Sequence, residues 1–173
     1  FSYYTIRDHW QIHYSRAIEN QLDVVHLPFV HKSTIGRGNK TLVNGPRLKI
    51  EEREGHHDIL NIWFDNEIDN GQKPLKADEM PEPQSRPLLQ FRFPNIWQNW
   101  LGDNLRIMIV FAPIDHENTM MYIRMYQGMV KFPVSREIFN LIGAVGNLII
   151  EKQDKRVVVT QRPKQTSLRM GEK

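Results

Sequence analysis

Alternation of hydrophobic and polar residues predicts strands in the first third of the chain. Residues 9–18 (HWQIHYSRAI) place Trp10, Ile12 and Tyr14 between polar neighbours, which is the two-residue period of a strand. Two further strand-like segments, RLKIEERE and DILNIWFDNE, flank a Gly-His-His sequence. This arrangement predicts a β-hairpin.

Longer strands are predicted in the second half of the chain. Residues 69–87 contain four prolines and many charges, so we expect an exposed loop there. Three segments with strand character follow this loop: LLQFRFPNIWQNWL, NLRIMIVFAPI and MMYIRMYQGMV.

Two helices are predicted, one near each end. The first begins at about Ser15, and Pro28 should interrupt it because proline lacks the N–H that a helix interior requires. Ser135 caps the second, in which Gly143 and Gly146 allow a neighbouring element or a ligand to approach closely. Its predicted inward face consists of apolar residues at helical spacing: Ile138, Leu141, Ile142, Val145 and Ile149.

This order of elements predicts a single α+β domain over residues 1–173. A curved antiparallel sheet would pack on the long C-terminal helix, in the helix-grip arrangement of START and Bet v 1 proteins. Such a sheet can leave an apolar cavity beneath the helix. Trp97, Trp100 and the strand MMYIRMYQGM are candidates for its walls or for ordinary core.

Composition and charge narrow the functional classes. The 173 residues are 40% hydrophobic and 25% charged, as in soluble globular proteins, and no apolar run could cross a bilayer. The net charge of +3 arises in residues 151–173, which carry seven Lys or Arg and three Asp or Glu but no aromatic residue; no nucleic-acid groove is predicted. The absence of cysteine excludes disulfides and thiolate metal sites within the chain. The chain starts without Met and without a signal-peptide pattern, so we interpret it as a fragment of a cytoplasmic protein.

The segment from Asn20 to His31 carries the most informative polar residues. Asn20, Asp23 and His26 recur every third residue and would share one helical face. His26 and His31 are five residues apart, and a turn at Pro28 could bring both imidazoles together. Imidazoles are common transition-metal ligands, and oxygen-activating Fe(II) sites add one carboxylate to two of them.

The third ligand would come from the C-terminal helix. Asp154 is the candidate carboxylate, with Glu151 as the alternative. His9 and His13 form a second pair, four residues apart, that could bind metal or simply share a strand face. Residues 56–57, both histidine, are interpreted as turn residues.

The pattern N-x-x-D-x-x-H-x-x-x-x-H, followed over a hundred residues later by an acidic residue in a -QDK- helix, resembles the catalytic domain of Rieske non-haem iron oxygenases. These are the alpha subunits of ring-hydroxylating dioxygenases and of related mono-oxygenases and O-demethylases. The run DKRVVVTQRP looks more like the mono-oxygenase and demethylase branch. The resemblance covers essentially the whole chain. An upstream Rieske module, with a [2Fe–2S] cluster on two Cys and two His, is expected outside this cysteine-free chain.

The resemblance implies that His26, His31 and Asp154 hold one mononuclear Fe(II). Asp23 would link a cluster-ligating histidine of a neighbouring subunit to His26, and Asn20 would lie nearby. Electrons would pass from NAD(P)H through a reductase, sometimes with a ferredoxin, to the Rieske cluster, normally across a subunit boundary of a homotrimer. The iron would use O2 to hydroxylate an aromatic or other apolar small molecule, or to remove an O- or N-methyl group.

Two other functional classes remain open from the residues alone. A metal-free helix-grip module that binds an apolar lipid or hormone would leave the polar pattern of residues 20–31 as coincidence. A zinc hydrolase would require a general base that the sequence does not identify.

Overall fold

The structure is a computed structural model that describes residues 1–36, 40–56, 58–76 and 78–166. The helices in this part of the chain are α1 (Tyr14–Leu22), α2 (Leu27–Val30) and α3 (Pro133–Val158). Its strands are β1 (Ser2–Trp10), β2 (Lys40–Thr41), β3 (Arg47–Glu51), β4 (Ile59–Trp63), β5 (Glu67–Ile68), β6 (Leu89–Arg92), β7 (Ile96–Gly102), β8 (Leu105–Pro113) and β9 (Thr119–Gln127).

Seven strands form one antiparallel sheet in the order β1-β9-β8-β7-β6-β4-β3, and β2 pairs separately with β5. β1 pairs with β9 along its whole length, from Ser2 opposite Gln127 to Trp10 opposite Thr119. The predicted hairpin is present as β3 and β4. The described part of the 69–87 loop contains neither helix nor strand, as predicted. Because α3 packs on β1 and β9, the α+β prediction of an antiparallel sheet on a C-terminal helix is confirmed.

The strand predicted over residues 9–18 was wrong in its position. β1 ends at Trp10, and α1 takes the second half of the segment. The reason lies at His13, whose Nδ1 accepts a hydrogen bond from the backbone N–H of Ser15 and so caps α1. Trp10 is buried from the end of β1, whereas the fully buried Ala17 belongs to α1.

The strand predicted within LLQFRFPNIWQNWL is divided into β6 and β7. These strands pair with each other, with Phe91 opposite Trp97. The chain reverses over residues 93–95, where Pro94 and Asn95 are typical turn residues. One apolar run therefore supplies two neighbouring strands of the sheet.

Helix α3 begins earlier than predicted and turns the opposite face inward. Its N-cap is Phe132, and Ser135 lies within the first turn, so the predicted cap was wrong. The predicted inward stripe of apolar residues is about half exposed or more, from Ile149 at 49% to Ile142 at 66%. The buried residues are instead mostly polar: Asn140, Ala144, Asn147, Glu151, Asp154 and Val158.

The two glycines of α3 differ in their surroundings. A side chain at Gly143 would collide with the side chain of Met125 on β9, so this glycine permits the close packing expected of it. Gly146 has no neighbour within 4 Å of a Cβ position, so it has no such role. At Gly143 the buried, largely polar face of α3 packs closely on β9.

The two oxygens of Asp8 connect β1 with the C-terminal half of α3. Trp10 is fully buried, and its Nε1 donates to Asp8 Oδ2 at 2.8 Å. The other oxygen of Asp8 lies 2.8 Å from Lys155 Nζ. Lys155 follows Asp154 directly, so this partly exposed ion pair lies next to the candidate ligand. Among the described residues, no helix has the length and apolar character of a membrane span.

Candidate metal centre

A very short helix brings the two histidines together. α1 ends at Leu22, and α2 then spans four residues with Pro28 in its first turn, where a missing N–H costs nothing. His26 is the N-cap of α2 and His31 is its C-cap, with the His31 N–H bonded to the carbonyl of Leu27. The two Nε2 atoms lie 3.2 Å apart. The predicted convergence of the imidazoles is present, but the break that permits it comes before Pro28.

The predicted common face of Asn20, Asp23 and His26 is not helical throughout. Asp23 has extended backbone and ends α1, so only Asn20 of the three lies in that helix. Ionic contact nevertheless joins Asp23 Oδ2 to His26 Nδ1 at 3.6 Å, slightly longer than a hydrogen bond. Asn20 is 8% exposed, and its Nδ2 is buried without a hydrogen-bond partner in the described part of the chain.

Asp154 of α3 completes a group of three. Its Oδ1 lies 3.0 Å from His31 Nε2 and 3.4 Å from His26 Nε2. His31 is 1% exposed and Asp154 is 3% exposed. In the described residues, this is the one group of three or more His, Cys, Asp or Glu side chains with its ligand atoms close enough to share an ion.

The spacing of these atoms fits a metal ion. Three ligands about 2.1 Å from an ion are roughly 3.0 Å apart on an octahedral face and about 3.4 Å apart in a tetrahedron. The observed sides are 3.0, 3.2 and 3.4 Å, so the triangle admits either geometry. Asp154 Oδ1 is also fully buried, and no protein donor is well directed at it. A buried carboxylate oxygen in that state calls for a cation or a proton.

Neighbouring amides orient two of the three side chains. Gln153 Oε1 lies 2.8 Å from His31 Nδ1, so Nδ1–H donates there and Nε2 is left free to bind an ion. Thr34 Oγ1 donates to the same Gln153 oxygen at 2.9 Å. Gln21 Nε2 donates to Asp154 Oδ2 at 3.3 Å. Gln153 and Gln21 were not among the predicted site residues, although Gln153 could have been selected because it directly precedes Asp154 in the sequence.

The charged residues of the candidate metal centre shift one another's pKa values. Burial opposes the positive charge of His26, but Asp154 and Asp23 outweigh it and raise the pKa of His26 to about 9. Burial also opposes the charge of Asp154, but His26 and His31 lower the pKa of Asp154 to about 2. The contact with His26 lowers the pKa of Asp23. In the metal-free protein, protonated His26 therefore supplies the positive charge beside Asp154.

A cavity of about 170 Å³ opens beside the three side chains. Its walls are mainly apolar: Phe64, Leu89, Trp97, Leu101, Ile107 and Ile109. Trp97 thus lies in the cavity wall and is also part of the buried core, so both predicted alternatives apply to it. Trp100 lies elsewhere, with its ring under the guanidinium groups of Arg86 and Arg106. Met121 of β9 is core rather than cavity wall.

The remaining candidates do not join the group. Glu151 lines the cavity and is 4% exposed, but its carboxylate is not among the three converging ligands. His9 Nε2 contacts Asn118 Oδ1 at 2.9 Å, and His13 caps α1, so the two do not form a pair. His56 is exposed at the hairpin turn, and His57 lies outside the described residues.

Residues 10–172 match the sequence family described as Vanillate O-demethylase oxygenase C-terminal domain. The chain belongs to this family. The predicted kinship with Rieske oxygenase catalytic domains is thereby confirmed, on the side of the demethylase branch. No curated protein matches the chain significantly.

Solved structures support the fold assignment. NdmB of Pseudomonas putida CBB5 superposes with a TM-score of 0.62 at 14% identity, over 98% of this chain and 45% of NdmB. The quaternary ammonium Rieske monooxygenase CntA, in complex with L-carnitine, gives 0.56 at 12% identity over 94% of this chain and 38% of CntA. A carbazole 1,9a-dioxygenase complex gives 0.58 at 11% identity over 90% of this chain and 46% of the matched chain. The chain therefore spans less than half of the structures it resembles.

Proposed function

We propose that the chain is the mononuclear iron domain of a Rieske-type oxygenase, with Fe(II) held by His26, His31 and Asp154. The observation that carries the proposal is the buried, undonated Asp154 Oδ1 between two imidazole Nε2 atoms. Two His and one carboxylate on one side of an ion leave positions open for other ligands. Iron bound there supplies the site at which O2 is activated. Family membership favours iron over the zinc that the triangle also admits.

Asp23 is proposed to connect this site to its electron source. Its side chain is 48% exposed, while that of His26 is 16% exposed, so Asp23 reaches from the surface to a mostly buried ligand. A carboxylate 3.6 Å from His26 Nδ1 can orient this imidazole by charge, and it can accept a further N–H from outside the chain in addition to that of Val25. We propose that this donor is a histidine on a [2Fe–2S] Rieske cluster of a neighbouring subunit in a homotrimer. The buried Asn20 sits on the preceding turn and supports this segment.

The electrons are proposed to come from NAD(P)H through a reductase, with a ferredoxin in some systems. Since this cofactor pool and these partners are intracellular, we place the enzyme in the cytoplasm. The Rieske module would be supplied by sequence upstream of residue 1, because the chain contains no cysteine for the cluster.

The substrate is proposed to be a small, largely apolar molecule that is hydroxylated or demethylated. Support comes from the cavity, whose apolar walls end at the three candidate ligands. Similar structures hold small molecules of varied polarity: CntA with L-carnitine and an NdmA variant with caffeine. The residues around the cavity can position such a molecule and exclude water from it.

Metal binding tests this proposal. We expect anaerobic reconstitution to give about one Fe(II) per chain, because three ligands converge on one point. His31→Ala and Asp154→Ala should lose this iron, as measured by elemental analysis after gel filtration. His56→Ala, at an exposed turn, is the matched control and should retain it. Full iron occupancy in a variant with alanine at all three ligand positions would refute the assignment.

The same protein distinguishes the two rival classes. A zinc hydrolase would show ester or amide hydrolysis when loaded with Zn²⁺, lost in Asp154→Ala. A metal-free binding module would bind apolar ligands with equal affinity before and after chelation of the metal. We expect neither result.

A further inference from the structure

Polar groups within the cavity indicate what kind of ligand it accepts. Most of the wall is apolar, yet Glu151 and Asn147 of α3 lie in it next to the candidate ligand Asp154. Both are nearly buried, Glu151 at 4% exposed and Asn147 at 9%. Neither has a role in holding the metal.

Glu151 carries an unfilled hydrogen-bond acceptor. Its Oε2 is fully buried and has no hydrogen-bond partner in the described part of the chain. A buried carboxyl oxygen without a partner is costly, and such groups in native proteins have an explanation. Because the side chain lines the cavity, a donor on a bound ligand is the explanation that the geometry offers.

Asn147 adds a second acceptor on the same face. Its Nδ2 donates to the carbonyl of Gly143 at 2.8 Å, which fixes the orientation of the amide. Asn147 Oδ1 therefore remains available as a hydrogen-bond acceptor. Asn147 lies four residues before Glu151, about 6 Å along the helix axis. Two acceptors on successive turns suit a group that donates more than one hydrogen bond.

The charge of the wall points in the same direction. The side chains around the cavity include Asp23, Glu151 and Asp154, and no Lys or Arg among the described residues. With a divalent ion bound, both histidines neutral and all three carboxylates ionised, the wall carries a net charge of −1. Burial raises the pKa of the Glu151 carboxyl, and a cationic group placed against it would lower that pKa again. A cationic ligand would be attracted, and an anionic one would face an uncompensated carboxylate.

We propose that the cavity selects a ligand with a protonated amine, held by Glu151 and Asn147, and discriminates against carboxylates. This rests on the proposed function in taking the cavity to be the substrate site. Glu151 is one helical turn from Asp154, so the amine sits close to the carbon presented to the metal. The volume of about 170 Å³ suits a single ring with a short arm, since a cavity of roughly 150 Å³ holds benzene. Trp97 Nε1, a buried donor without a partner, would accommodate an acceptor elsewhere on the ligand.

Binding of three probes of equal size tests the proposal: benzylamine, benzyl alcohol and benzoate. Calorimetry on the metal-free protein and on the anaerobic Fe(II) form should give benzylamine as the tightest ligand and benzoate as the weakest in both. Agreement between the two forms excludes simple coordination of the amine to iron. Glu151→Gln keeps the side-chain shape and should weaken benzylamine about tenfold or more while leaving benzyl alcohol nearly unchanged. Glu137→Gln, an exposed glutamate on the same helix, should change neither.

The wild-type order of affinities decides the matter even if Glu151→Gln fails to fold. Benzoate binding as tightly as benzylamine would overturn the proposal, as would a Glu151→Gln protein that is folded and keeps the full preference for the amine. Failure of the proposed function looks different, because it would appear as absence of Fe(II) binding while the metal-free protein still prefers benzylamine.

Discussion

The tautomer of His31 depends on one glutamine. Gln153 Oε1 accepts from His31 Nδ1 at 2.8 Å and holds Nε2 toward Asp154. Gln153→Leu removes this acceptor and lets the imidazole rotate or change tautomer. We expect metal affinity to fall by roughly 10–100-fold, the usual effect of a partner that orients a ligand.

Competition with a chelator of known affinity would measure this change. Lys152→Leu, at the exposed position next to Gln153, is the matched control and should leave the affinity unaltered. An unchanged affinity in Gln153→Leu would show that packing alone orients His31.

The stability of the metal-free protein should fall as the pH rises from about 6.5 to 9. Asp154 and Asp23 raise the pKa of His26 to about 9, above its ordinary value of about 6.5. The stabilisation of the folded state by protonated His26 is therefore fully present below about pH 6.5 and is lost as the pH rises through about 9. Asp154, lowered to about 2, stabilises the fold above about 3.8 and contributes no change in this window. Burial lowers the pKa of His13, which likewise alters stability only at more acidic pH.

Thermal unfolding across this window measures the effect. Burial raises the pKa of Glu151 well above its usual range, so Glu151 can add to the same decline. Glu151→Gln and His26→Gln separate the two contributions, because the decline should persist in Glu151→Gln and be clearly smaller in His26→Gln, where only the Glu151 contribution remains. A melting temperature that rises from pH 6.5 to 9 would contradict the assignment of the proton to His26.

At the scale of elements, α2 is held in place by the loop that follows it. A side chain at Gly36 would collide with the backbone carbonyl of Leu27, at the start of α2. The Gly36 N–H also bonds to the His31 carbonyl at 3.0 Å. Gly36→Ala must therefore displace the short helix between His26 and His31. We expect weaker metal binding, with the rest of the sheet intact by circular dichroism.

Gly146→Ala is the natural control for this change, because a Cβ at Gly146 meets open space on a helix surface. That substitution should preserve metal binding and stabilise α3 slightly, since alanine is the better helix former. Equal metal affinity in Gly36→Ala and wild-type protein would show that α2 tolerates the shift.

Helix α3 shows where prediction from sequence succeeds and where it does not. Its existence follows from periodicity, and Asp154 could be selected as a candidate ligand that the structure places beside His26 and His31. The direction of its faces could not, because the rule that apolar residues turn inward assigns Ile142 to the core, where Asn147 and Glu151 lie instead. The candidate metal centre would require polar groups beneath the helix, and rules based on local sequence fail most often at functional sites.

The same reasoning explains the other differences. Strand pairing of β6 with β7 is decided by contacts distant in sequence, so a continuous apolar run could not reveal the turn at Pro94. The hydrogen bond of Gln153 to His31 joins residues 122 positions apart, which spacing along the chain does not encode. The motif at residues 20–31 could be identified because its members are close together in the sequence. Only the prediction that Asn20, Asp23 and His26 share one helix was wrong.

At the scale of the whole molecule, two surface features bear on the proposed dependence on other chains. An apolar stripe on α3 is open, including Leu141 at 56% and Ile142 at 66% exposed. Asp23, whose side chain is 48% exposed, contacts His26 of the candidate metal centre. The chain also spans 45% of NdmB and 38% of the carnitine-bound CntA. These observations agree with a domain whose electron supply lies on other chains or segments.

The final prediction follows from that dependence. The 173-residue chain contains no cysteine, so it cannot ligate a Rieske cluster, which needs two Cys and two His. Loaded with Fe(II) and given NAD(P)H and a reductase, it should not sustain substrate-dependent NAD(P)H oxidation or O2 uptake above the reductase alone. Hydrogen peroxide supplies oxygen and oxidising equivalents together, so product formed with peroxide, and lost in Asp154→Ala, is compatible with the proposal. Continuous NAD(P)H-driven turnover by this chain would show that electrons reach the metal without a cluster, and the proposed route through Asp23 would then be wrong.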